Sequence, residues 1–170
     1  MKFDLTYTEL NRLQQFEYEI YEGDYDYIPS YLRVVEDAFC ETEQVKFIFS
    51  SLQEDWNVFL FYDFLVFVMQ LQDVFELCKG NTQEEYLLDF YAQGTERKLL
   101  LTKTDVETLK VENASGDKWI SPVSSEYLNI AALQKDILQF VHKIKMMVEI
   151  VYPQLNTLEM LQKWYHSFEE

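Results

Sequence analysis

Four glycines in 170 residues are too few to build a phosphate-cradling loop. Neither G-x-x-x-x-G-K nor G-x-G-x-x-G occurs, which sets aside the usual nucleotide-binding chemistries. With only three prolines besides, no stretch reads as a flexible or stiff linker. Histidine is as scarce. A serine or cysteine nucleophile most often needs one as its base, and only His142 and His166 are present. Neither lies in a catalytic motif, and no G-x-S-x-G occurs. Both read as structural or surface groups. The two cysteines, Cys40 and Cys78, are far apart and form no C-x-x-C. They read as free thiols of a reducing compartment. Cys78 shares a helix face with Leu71 and Phe75. Cys40 is read into a polar loop, Cys40-Glu41-Thr42-Glu43, whose carboxylates raise a thiol pKa and oppose reactivity.

The same scarcity removes metals. Zinc wants Cys and His in closely spaced pairs. Asp24-Tyr25-Asp26 lacks the turn glycine and closing glutamate of a calcium loop. No catalytic residue, metal or cofactor is therefore expected, and the chain reads as a non-enzyme. The longest apolar run, Val58 to Met69, is too short to span a bilayer and contains Asp63. Met1 to Leu10 has no apolar core of a signal peptide. A cytoplasmic protein without a membrane contact is the expectation.

What is present is apolar mass and negative charge. Hydrophobic residues make up 48% and aromatic ones 16%, ample for a core. The length suits one domain over residues 1–170, with no need of disulfides or metal. The net charge is -16. It repels nucleic acid and anionic membranes and favours a basic protein partner. Solubility alone is the competing explanation. The charge is unevenly spread: Met1 to Trp56 holds thirteen acidic residues against four basic ones.

Periodicity gives an α+β fold with antiparallel sheet elements, one buried central helix and two C-terminal helices. Residues 1–52 read as strand-rich. Phe3, Leu5 and Tyr7 alternate, and Phe16 to Tyr21 alternates apolar with acidic residues, a hairpin pair. Ile28-Pro29-Ser30 reads as a turn. Leu32 to Val35 and Val45 to Ser50 read as strands, with a short helix over Tyr31 to Phe39 as competitor. From about 55 to 79, Leu60, Phe64, Phe67, Leu71, Val74, Phe75 and Cys78 recur at helical spacing. The other side is apolar too, so this helix is buried, and Gly80 ends it. A meander follows at about 85–112. Helices are predicted at about 126–152, where Ile130, Leu133, Ile137, Phe140, Val141, Ile144, Val148 and Val151 form one stripe, and at about 156–168, opened by an Asn156/Glu159 capping box.

Two places invite chemistry. Asp63 interrupts the greasy helix: it is a proton-transfer or ligand-binding group, a flank facing water, or the partner of an Arg or Lys. The other place is Phe16 to Tyr31, FEYEIYEGDYDYIPSY. There Glu17, Glu19, Tyr21, Glu22, Asp24, Tyr25, Asp26 and Tyr27 mix carboxylates with phenol rings. Carboxylates accept charge-assisted hydrogen bonds from Arg and Lys, and a Tyr ring can sit under a cation. A Tyr-rich hairpin whose acids merely face water explains the strand portion equally well. The turn at Asp24 to Tyr27 does not need tyrosine for packing, which favours a partner.

The functional expectation is an acidic protein-binding module: an inhibitor or immunity-type antidote for a basic toxin or nuclease. The alternatives are a DNA mimic, a small-molecule binder or enzyme with a pocket near Asp63, and a self-assembling subunit joined through Trp164, Tyr165 and Phe168. A DNA mimic would spread its acids along an extended face, whereas these cluster toward the N-terminus.

Overall fold

The computed structural model describes residues 1–10, 27–80, 84–91, 95–116 and 119–169. It has two antiparallel sheets and four α-helices, the α+β arrangement that the periodicities indicate. The first sheet is β1 (Lys2–Tyr7), β2 (Val45–Ser51) and β3 (Glu54–Trp56), in that order. Phe3 lies opposite Phe49 and Leu5 opposite Phe47, so one face is apolar. The expected partner of β1, Phe16 to Tyr21, lies outside the described residues; the neighbour seen is β2. The second sheet is a four-strand meander: β4 (Glu85–Phe90), β5 (Arg97–Lys103), β6 (Thr108–Asn113) and β7 (Ser125–Asn129).

Five local expectations are corrected. Leu32 to Val35 is not a strand but part of α1 (Ile28–Glu41). Ile28-Pro29-Ser30, read as a turn, is the first turn of that helix, where proline has no amide bond to lose. The central helix begins later than residue 55. Glu54–Trp56 pairs with β2, Leu60–Phe64 forms a π-helical turn, and α2 proper is Leu65–Lys79. The helix expected from 126 starts at Ile130, because Ser125–Asn129 joins the meander; α3 is Ile130–Val151, capped by the Asn129 side chain. The last helix, α4, is Glu159–His166, after a 3-10 turn at Pro153–Thr157. Asn156 does not cap it. Its amide instead donates to the Lys145 carbonyl and to Glu149, and its oxygen accepts from the Tyr165 hydroxyl.

The core is one apolar cluster drawn from both sheets and all four helices. Phe67 on α2 is at its centre, with ring centroids 4.9 to 6.0 Å from Phe3, Phe47, Phe49, Phe90 and Phe140. The α3 stripe that the spacing picks out is buried along its length, from Ile130 to Val151. Trp164, Tyr165 and Phe168 are buried in this same core. They are therefore not free to join two copies, which removes the route proposed for self-assembly. Gly80 ends α2 at φ 75°, a left-handed conformation open to glycine, and the Lys103 ammonium packs where a Cβ would stand.

Side chains tie off the sheet edges. On the free side of β4, Gln70 from α2 donates to the Asp89 carbonyl (2.8 Å) and accepts from its amide (2.9 Å), imitating a neighbouring strand. Glu126 on β7 joins the two sheets. It accepts from the Met1 α-ammonium and the Ser51 hydroxyl, both at 2.7 Å. Burial pushes its carboxyl up, but these hydrogen bonds outweigh that and hold it below the usual range.

Candidate functional site

Of the eight residues expected to meet a partner, Glu17, Glu19, Tyr21, Glu22, Asp24, Tyr25 and Asp26 lie outside the described residues. Tyr27 is described. It stands in extended backbone immediately before α1 and is 60% exposed. Its carbonyl accepts from the Ser30 amide, which places its backbone at the mouth of the helix.

The charge excess survives folding. Seven basic side chains (Arg33, Lys79, Arg97, Lys98, Lys110, Lys143 and Lys163) are already in ion pairs with acids of this chain. With 14 basic against 30 acidic residues, carboxylates outnumber the Lys and Arg side chains by 16.

Asp63 does not face water, and among the described residues no cation pairs with it. It is fully buried, and its Oδ2 accepts from the Phe59 amide (2.7 Å) and the Thr95 hydroxyl (3.0 Å). In return the Asp63 amide donates to the Phe59 carbonyl at 2.9 Å. The carboxyl thus closes the π-helical turn on itself and ties Thr95, two residues before β5, to it. Burial raises its pKa, against the lowering effect of the two donors. Its Oδ1 is buried with no hydrogen-bond partner. Replacing Asp63 with alanine strands the Phe59 amide and the Thr95 hydroxyl. The expected loss is about 2 kcal/mol in urea denaturation. Asparagine, which keeps the acceptor, should recover most of it. An asparagine variant as damaged as the alanine one would mean that charge, not the acceptor, holds the turn.

The same turn makes a surface that the sequence reading missed. Burying Asp63 and Phe64 turns their neighbours outward: Phe59, Phe61 and Tyr62 are 47%, 47% and 43% exposed. Phe61 and Tyr62 meet edge to face at 4.7 Å. The Arg33 guanidinium of α1 lies over Phe61, 5.7 Å from the ring centroid, and bonds to Glu36 at 2.5 Å. Periodicity placed Phe59 on the buried helix because a regular α-helix was assumed there. A run of three aromatics in four residues before a buried acid was the available signal.

Glu36 is the second buried acid. It projects from α1 into the junction where the π-helical turn gives way to α2. Changing from wide to regular hydrogen-bond spacing leaves an amide without a helical partner, and Glu36 accepts from the Leu65 amide at 3.2 Å. Burial pushes its carboxyl up to about 7, with Arg33 opposing.

Both thiols are held protonated. Burial raises Cys40 to about 11, aided by Glu36, Asp37 and Glu41; burial raises Cys78 to about 12. Cys40 lies in α1 rather than in a polar loop. Among the described residues no group of three or more His, Cys, Asp or Glu is placed to hold a metal ion, and no helix is long and apolar enough to cross a membrane.

A half-open groove of about 890 Å³ lies between the first sheet and α3. Phe3 and Phe140 line it together with Lys2, Asp136, Gln139 and the Asp4–Lys143 ion pair (2.7 Å). Its charges are mixed and Asp63 does not line it. Elsewhere Arg97 is stacked between Trp56 and Trp119, with centroids at 5.1 and 4.4 Å, and bonds to Glu54 at 2.9 Å, a brace between β3 and β5. No protein-family model, curated protein or solved structure matches the chain, and the functional reading therefore rests on its own residues.

Proposed function

We propose that this chain is an acidic protein-binding module that neutralises a basic partner, as an inhibitor or antidote does a toxin or nuclease. Tyr27 carries the reading: its ring is largely in water at the start of α1, at the end of a segment holding Glu17, Glu19, Glu22, Asp24 and Asp26. A tyrosine held out to solvent adds nothing to this core, while next to carboxylates it suits a cationic side chain. The net charge of -16 hastens encounter with a basic protein and makes the association salt-dependent.

The test is affinity capture from the native host at low and moderate salt. The control carries Glu17→Lys, Glu19→Lys, Asp24→Lys and Asp26→Lys. One basic protein held at low salt, weakened by added salt and not held by the control, is the expected outcome. Equal capture by both chains would overturn the reading.

A further inference from the structure

We infer that Phe59, Phe61 and Tyr62, on the π-helical turn before α2, form a shelf that receives arginine side chains of a basic protein partner. This rests on the reading of a basic partner and moves part of the contact onto a surface built by the fold.

Three observations carry it. The rings are close to half exposed although the adjoining Asp63 and Phe64 are buried, so the turn holds them outward. That turn is fastened by the reciprocal Phe59–Asp63 hydrogen bonds and by Thr95, so the shelf is set before anything binds. The molecule also seats one arginine there already: Arg33 lies over Phe61 while its guanidinium bonds to Glu36. Arg33 shows that a guanidinium lies over a ring of this shelf; Glu36 is buried and engaged by Arg33, so an incoming guanidinium has the half-exposed rings of Phe59 and Tyr62 to stack on.

Charge selects the occupant. A second copy of this chain, nucleic acid or an anionic membrane would meet a body of net charge -16 and be repelled. Aromatic side chains are enriched at the energetic centres of protein interfaces, and their usual companion there is arginine. Tyr27 stands immediately before α1 and Arg33 lies six residues on, within its second turn, roughly 9 Å away along the helix axis. One basic segment can therefore reach both Tyr27 and the shelf.

The probes are fluorescently labelled octa-arginine and octa-lysine peptides, followed by anisotropy at fixed ionic strength. The wild-type chain should bind octa-arginine about fivefold or more tightly than octa-lysine, because arginine stacks on aromatic faces more readily. Phe59→Ser, Phe61→Ser and Tyr62→Ser combined should abolish that preference and leave the salt dependence unchanged. Phe61→Leu, which keeps an apolar side chain and loses the ring, should reduce it with the melting curve intact. An arginine-to-lysine ratio unchanged in both variants overturns the shelf. The lysine-substituted control of the acidic segment separates the two ideas. If it alone loses both peptides, the basic-partner reading stands and the shelf fails; if it binds both as wild type does, the acidic segment is not the contact.

Discussion

Replacing Phe67 with alanine should cost about 3–5 kcal/mol of folding stability, the range for deleting a phenyl ring from a packed core. Phe67 is 1% exposed and meets five other rings. These come from β1, β2, β4 and α3, so the deletion reaches both sheets at once. The rings around it are bulky and fixed on four different elements, so they cannot close the void without shifting a strand. Stability of a domain is commonly about 5–15 kcal/mol, and this loss is a large part of it. Urea denaturation followed by tryptophan fluorescence measures it, with Phe59→Ala as the control. Phe59 is half exposed, and its truncation should cost well under half as much. A loss below about 2 kcal/mol for Phe67→Ala would mean that the two sheets do not share one core around this ring.

How much of this was legible follows from which residues carry a period. The α3 stripe and the meander were readable because each repeats its apolar residue at the spacing of its own element. Gly80 was readable because a left-handed position after a helix favours glycine. Ser125–Asn129 was not, because a five-residue strand with Tyr127 exposed and Leu128 only half-buried shows no alternation to follow. Leu32 to Val35 misled because its valines favour strands locally, while packing against α2 and α4 decides for helix. In that helix Glu36 stands four residues after Leu32 and three before Phe39, on the apolar stripe. An acid in register with the core was the visible mark of a buried carboxyl. Asp63 carried a similar mark, but the π-helical turn that makes it a fastener has no periodic signature. The acidic Tyr-rich segment was the plainest feature of composition, yet of its eight residues only Tyr27 has a described position.

Stability of the wild-type protein should fall as pH rises from about 5 to 7.5, the reverse of the usual response of a paired carboxylate, and Glu36 should be the main cause. In the unfolded chain its carboxyl titrates near 4.5; in the fold burial lifts it to about 7. Below pH 4.5 it is protonated in both states. Between the two values the folded state holds the extra proton, so stability drops as pH rises and levels off above about 7. At about 1.4 kcal/mol for each pH unit between the two values, the window is worth about 3 kcal/mol. Asp37 and Asp63, also raised by burial, act in the same direction. Glu126, held low, opposes them only in more acidic solution. The -16 charge adds to the slope, since self-repulsion grows as carboxylates ionise. Glu36→Gln separates the local cause from the global one. It keeps an acceptor for the Leu65 amide and removes the ionisation, so the variant should match wild type near pH 5 and be the more stable protein at pH 7.5. Urea midpoints at both pH values and one ionic strength decide it. A Glu36→Gln protein that retains the full wild-type slope would place the pH dependence in the charge of the whole surface rather than in this buried carboxyl.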